Sequence, residues 1–169
     1  MEFTTTVNGG DKFVVEVNRD YAPIGSDRFY ELVQDGFYDE AGFFRVVPKF
    51  VVQFGLAADP AKTAKWKKNL QDDPKHPEIG NTKGTLTFAT AGKNTRTTQL
   101  FINLGDNDFL DNMGFTPIGR VIQGLETVEA ITSQYGEKPH QGQITAEGNK
   151  YLKKTFPKLD YISQAKVID

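Results

Sequence analysis

The chain has 169 residues, 38% of them apolar and 25% charged, with 13 phenylalanines, a composition that builds a globular core and excludes a disordered chain. Twenty basic against 22 acidic residues leave a formal charge of −2, which supplies no electrostatic footprint for nucleic acid or an anionic membrane. The lack of cysteine excludes a disulfide framework, a thiolate metal site and a cysteine nucleophile together.

In chain order, residues 3–7 and 12–17 are β-prone runs flanking Asn8-Gly9-Gly10-Asp11, and they predict a hairpin. Met1 leads straight into this stretch, which predicts no signal peptide. No run approaches the ~18 apolar residues of a membrane span, and no Asn-x-Ser/Thr acceptor occurs. The expectation is a cytoplasmic protein that does not touch membranes. A helix is predicted over residues 23–35, with Pro23 near its start, Phe29, Leu32 and Val33 on one face, and Gly36 just past its end. Residues 43–54 form a dense β-prone run interrupted by Pro48, which suits a bend or an edge.

Residues 56–83 are rich in Lys, Asp and Pro with little periodicity, and read as a long surface loop with at most one helical turn near Trp66. Strands are predicted again at 84–89 and 99–104. Helices follow at 125–134 and 147–155, and a final strand at 159–167. Many short strands with two or three helices, and no repeat or linker, point to a single domain over 1–169, built as a barrel or a sandwich.

Several chemistries lack their residues. Gly92-Lys93-Asn94-Thr95 has Thr87, not Gly, where a phosphate loop needs its first glycine. The cluster Asp106, Asp108 and Asp111 carries Asp at the sixth position, where a calcium loop turns on glycine. His76 and His140 sit beside prolines without a partner at metal-ligand spacing, so no metal or other cofactor is expected. A serine triad would lack its base.

One segment stands apart: Phe44-Arg45-Val46-Val47-Pro48-Lys49-Phe50-Val51-Val52-Gln53-Phe54-Gly55. Strand alternation puts Arg45 and Val47 on one face, with Phe44 and Val46 on the other. An arginine among apolar neighbours either snorkels to water or is held there for a purpose, and Gln53 raises the same choice. This run resembles the cyclophilin signature F-H-R-h-h-P-x-F-h-h-Q-x-G, with Phe44 where His is common. The block from Phe88-Ala89-Thr90-Ala91-Gly92 through Thr98-Gln99-Leu100-Phe101-Ile102 is similar to that family's M-A-x-A-G-x-N-T-x-x-S-Q-F-F-I. Phe109-Leu110-Asp111 through Gly119-Arg120-Val121 resembles W-L-D…F-G-x-V.

The resemblance implies an all-β-dominated fold, a closed eight-stranded antiparallel barrel capped by two helices, acting as a monomeric peptidyl-prolyl cis/trans isomerase that assists folding. It implies Arg45 as the catalytic residue, oriented by Gln53. Phe50, Val51, Phe101 and Leu110 would line a proline pocket with Phe109 at its rim. The backbone at Ala89 and Thr90 would pair with the peptide, and Gln99 would lie along the groove. By themselves these aromatic residues read more readily as barrel core than as a pocket. The stretch 111–119 is about one residue longer than the family pattern and lacks its His, which leaves Phe115 to supply that wall. Phe109 stands where a Trp of the family donates to the inhibitor cyclosporin, so reduced cyclosporin affinity is expected. The partners are otherwise proline-containing polypeptides. The alternative is a catalytically weak chaperone or scaffold module that binds proline peptides; it would need the pocket but not the charge of Arg45.

Overall fold

A computed structural model describes residues 1–168; Asp169, the last residue of the expected 1–169 domain, lies outside them. Eight strands, β1 (Glu2–Thr5), β2 (Lys12–Val17), β3 (Arg45–Val47), β4 (Val51–Phe54), β5 (Thr85–Phe88), β6 (Leu100–Asn103), β7 (Gly119–Gln123) and β8 (Ile162–Lys166), form one sheet in the order β3-β4-β6-β5-β7-β2-β1-β8. Every strand pairing is antiparallel. The edge strands β3 and β8 meet through the segments that lead into them. Gly42 and Tyr161 form an antiparallel bridge, Phe43 N–H reaches the Asp160 carbonyl at 3.0 Å, and Ile162 N–H reaches the Ala41 carbonyl at 2.8 Å. The sheet thus curls into a barrel whose last seam is a short bridge in place of a ladder.

The barrel is filled by rings. Phe3 stacks on Phe13 at 4.8 Å between centroids, and Phe29, Tyr38 and Phe54 close around them. Helix α1 (Pro23–Gln34) buries Phe29, Leu32 and Val33 in that core, the face its periodicity predicts. Its first N–H groups are taken from a distance: the Asp73 carboxylate accepts from Ile24 at 3.0 Å and Gly25 at 2.9 Å. A second apolar cluster lies outside the barrel, where Phe44 and Leu56 meet Ile144 of α4 (Gln141–Glu147) and Tyr151 and Leu152 of α5 (Asn149–Thr155).

Local chemistry moves several expected boundaries. The first strand stops at Thr5, not residue 7, because the Thr5 hydroxyl accepts from Val7 N–H and donates to the Asp11 carbonyl, drawing Val7 into a 3-10 turn. Helix α3 (Leu125–Glu129) is shorter than the predicted 125–134: Ile131 turns into the core and Thr132 N–H is claimed by the Asp160 carboxylate at 2.8 Å. The predicted 147–155 helix is the second of two, split at Gly148. There φ is +61°, and a Cβ would stand 2.1 Å from the Ala58 carbonyl oxygen, so only glycine fits.

The segment 56–83 begins with α2 (Pro60–Lys65), capped by the Asp59 carboxylate on Ala61 N–H and ending at Trp66. Beyond it the backbone is irregular but stapled. Arg28 Nη1 donates to the carbonyls of both Lys68 and Thr97, at 2.9 and 3.0 Å. Arg96 pairs with Asp73 at 3.0 Å in a buried salt bridge.

Candidate active site

Strands β3 and β4 form a hairpin through Pro48 and Lys49, with Phe50 N–H closing the turn on the Val47 carbonyl at 3.0 Å and Lys49 at φ +66°. Pro48 fixes the bend where the strand would otherwise run on. The register sets Arg45 opposite Gln53, and Gln53 opposite Phe101 on β6. Side chains alternate across a strand, so this row shares the outer face while Val46, Val52 and Ile102 fill the barrel. An arginine, a glutamine and a phenylalanine are therefore neighbours on three strands because of pleat and register.

Beside them lies a small apolar cluster separate from the barrel core: Val51, Phe101 and Leu110, each nearly fully buried, with Phe50, Ala89 and Phe115 against them. Phe115 stands edge-on to Phe101 at 5.7 Å. Leu110 comes from a 3-10 turn (Asp108–Met113), the same turn that carries Phe109. Phe109 is 60% exposed, stacked on Phe50 at 6.1 Å, outside the cluster proper.

A buried polar net fixes the floor. Asn81 Nδ2 donates to the Asp111 carboxylate and to the Phe115 carbonyl, both at 2.8 Å. Asn107 Nδ2 donates to the Phe50 carbonyl at 3.0 Å and to Asn103 Oδ1 at 2.8 Å. Nothing in the sequence pattern singles out these three asparagines, which sit in the loop before β5, at the end of β6 and in the loop after it. None of their fully buried side-chain atoms lacks a partner, and the net holds Phe50, Leu110 and Phe115 in register with one another.

The cluster opens into a groove of about 570 Å3. Along one side runs a chain of side-chain hydrogen bonds. Arg45 Nη1 donates to Gln53 Oε1 at 3.3 Å, Gln53 Nε2 to Gln99 Oε1 at 2.8 Å, and Gln99 Nε2 to Gln141 Oε1 at 3.3 Å. The guanidinium carbon of Arg45 lies 5.7 Å from the Phe50 ring centroid, so charge and apolar pocket share a border. Ala89 and Thr90 line the groove. Ala89 N–H is occupied by the Gln99 carbonyl at 2.9 Å, which takes that donor out of reach of a ligand.

All the residues expected from the sequence come to this one place, Phe109 at its outer rim. Others were missed. Lys67 and Asn69, from the segment read as a long surface loop, and Thr95 and Thr97 also line the groove. The stapling by Arg28 holds these two walls together. Glu137 was missed too: its carboxylate pairs with Arg45 at 2.7 Å. No periodicity links residues 92 apart in the chain.

Both the sequence and the fold have relatives among known proteins. The model of the family described as cyclophilin type peptidyl-prolyl cis-trans isomerase/CLD matches residues 1–149. A peptidyl-prolyl cis-trans isomerase of Schizosaccharomyces pombe is 37% identical over 125 residues, covering 71% of this chain and 78% of that protein. One of Acinetobacter baylyi is 33% identical over 131 residues, covering 72% and 69%. In structure, the chain resembles a Cryptosporidium parvum cyclophilin type peptidyl-prolyl cis-trans isomerase crystallised in the presence of the dipeptide Ala-Pro, with a TM-score of 0.69, 23% identity, and 100% and 99% of the two chains covered. With a family match over most of its length and the eight-stranded barrel to carry it, the chain belongs to the cyclophilin-type peptidyl-prolyl cis-trans isomerases.

Proposed function

We propose that the outer-face groove is where this isomerase turns X-Pro bonds, with the proline ring in the Phe50, Val51, Phe101, Leu110 and Phe115 cluster and Arg45 acting on the amide. The observation that carries this is the shared border between the Arg45 guanidinium and that apolar cluster. Rotating an amide through its perpendicular state costs ~18–20 kcal/mol, because the nitrogen lone pair leaves conjugation. The planar end states of an X-Pro bond differ by only ~0.5–1 kcal/mol, so the barrier alone makes exchange slow.

At the twisted state the proline nitrogen becomes pyramidal and regains a lone pair. A guanidinium N–H aimed at it stabilises the twisted state over both planar ones, and only such a difference accelerates the step. Arginine stays charged and presents a rigid fork of donors, with Gln53 fixing one arm. The reaction breaks no covalent bond, and so it asks for no nucleophile, base or cofactor.

Substrates on this reading are proline-containing polypeptides, paired along the Ala89 carbonyl, Thr90 and Gln99. The Ala-Pro dipeptide used with the Cryptosporidium relative is consistent with that class. We further propose that the protein acts as a monomer in the cytoplasm without nucleic-acid or membrane partners, and that it binds cyclosporin weakly because Phe109 offers no N–H. The test is exchange NMR on a short Ala-Pro-containing peptide. Catalysed exchange whose peptide contacts map to Phe101 and Phe115 supports the proposal. Binding at those rings without faster exchange would instead make the groove a scaffold.

A further inference from the structure

Arg45 has a stronger partner than Gln53. Its Nε and Nη2 both donate to one oxygen, Oε1 of Glu137, at 3.0 and 2.7 Å. The carboxylate is delivered by a built turn. Gly136 N–H closes on the Ser133 carbonyl at 3.0 Å and Lys138 N–H on the Tyr135 carbonyl at 2.9 Å. Val46 N–H, the peptide next to Arg45, bonds the carbonyl of Gly136, the residue next to Glu137, at 3.2 Å. Tyr135 anchors the turn further, edge-on to Phe156 at 5.0 Å, with its hydroxyl accepting from Lys158 N–H at 3.1 Å. Backbone thus fixes both members of the pair relative to one another.

We propose that Glu137 is a positioning residue for the isomerase, clamping one edge of the Arg45 guanidinium so that its free end faces the groove. A guanidinium carries about five N–H donors. Glu137 takes the Nε hydrogen and one on Nη2, and Gln53 takes one on Nη1. One hydrogen on each terminal nitrogen is left for substrate, and because Nε and Nη2 share one acceptor, the one on Nη2 points to the end opposite the side-chain stem. Side-chain exposure of 59% at Glu137 leaves its charge largely screened by water. Geometry rather than field is therefore what the carboxylate contributes. The inference rests on Arg45 being the donor to the proline nitrogen.

The experiment measures kcat and KM separately by exchange NMR for Glu137→Gln and Glu137→Ala, each also in an Arg45→Ala background. Both single variants should lose roughly two- to fivefold in kcat, Glu137→Ala the more, with KM within about twofold because the apolar pocket is untouched. The Arg45 Nε–H resonance should exchange slowly in the wild type, where Glu137 holds it, and broaden in both variants. In the Arg45→Ala background neither substitution should cost anything further. Full or raised kcat in both variants would overturn the clamp, as would an equal loss in the Arg45→Ala background. Near wild-type activity of Arg45→Ala alone would instead overturn the donor role on which the clamp depends.

Discussion

Replacing Gln53 by alanine removes the middle of the relay that runs from Gln99 to Arg45. Two hydrogen bonds are lost, one of 2.8 Å to Gln99 and one of 3.3 Å from Arg45. The second is long, and Arg45 keeps two shorter, charge-assisted bonds to Glu137 at 2.7 and 3.0 Å. Orientation of the guanidinium is therefore loosened and not abolished. A net cost of ~0.5 kcal/mol at the twisted state, the low end for a neutral hydrogen bond, corresponds to roughly twofold in kcat. Stability should fall by about 1–2 kcal/mol, since Gln53 is buried and Gln99 loses its donor, which lowers Tm by roughly 2–8 °C in a chain of this size. Turnover is followed by exchange NMR at a temperature where both proteins are folded. Combined with Arg45→Ala, the Gln53 change should add almost nothing, because the two residues act as a unit. Fully additive losses in that double-mutant cycle would refute the orienting role.

Phe109→Trp should tighten cyclosporin inhibition while leaving turnover within about twofold, because the stack on Phe50 is kept and an N–H donor is gained. Phe109 is 60% exposed, so water can serve the unmet acceptor and the gain sits near the low end of ~1–3 kcal/mol, roughly fivefold. Paired inhibition titrations read it, and equal inhibition constants would turn attention to the longer 111–119 segment. Asp73→Ala should destabilise the fold by ~3–5 kcal/mol, because it strands the buried Arg96 and uncaps α1 together. Chemical denaturation measures this; a loss below about 1 kcal/mol would contradict the staple, given the typical penalty for an unpaired buried charge.

The sequence is most legible where one interaction range decides the outcome. Pleat alone puts Arg45 and Val46 on opposite faces, but it stops at the strand's start: Phe44, expected beside Val46, packs in the outer cluster against α4 and α5, and Phe43 enters the barrel instead. The 3.6-residue period alone finds the buried face of α1. Strand β7 went unread as an element because Gly119-Arg120-Val121-Ile122-Gln123 buries only Gly119, so there is no alternation to detect. That glycine is required by contact, not by local pattern: a Cβ there would stand 2.1 Å from the Glu16 carbonyl oxygen of β2. The proposed proline pocket was readable only through resemblance to a family, since Phe50, Phe101 and Phe115 have the same local signature as core rings. Glu137 and Gln141 reach the site from a turn and a helix start whose placement depends on the closed tertiary structure. The same holds for Lys67 and Asn69, which are held in place by Arg28 from the opposite side of its helix–loop contact.

Arg45 as the group that acts on the amide is the claim on which the rest depends. The most direct test compares wild type and Arg45→Ala in one experiment that reads both peptide affinity and the cis/trans exchange rate of bound peptide. Loss of one preorganised donor should lower the bound exchange rate by ~10²–10³-fold, while affinity changes little and Phe101 and Phe115 still report the proline ring. An Arg45→Ala protein that binds and exchanges the peptide at close to the wild-type rate would contradict the account.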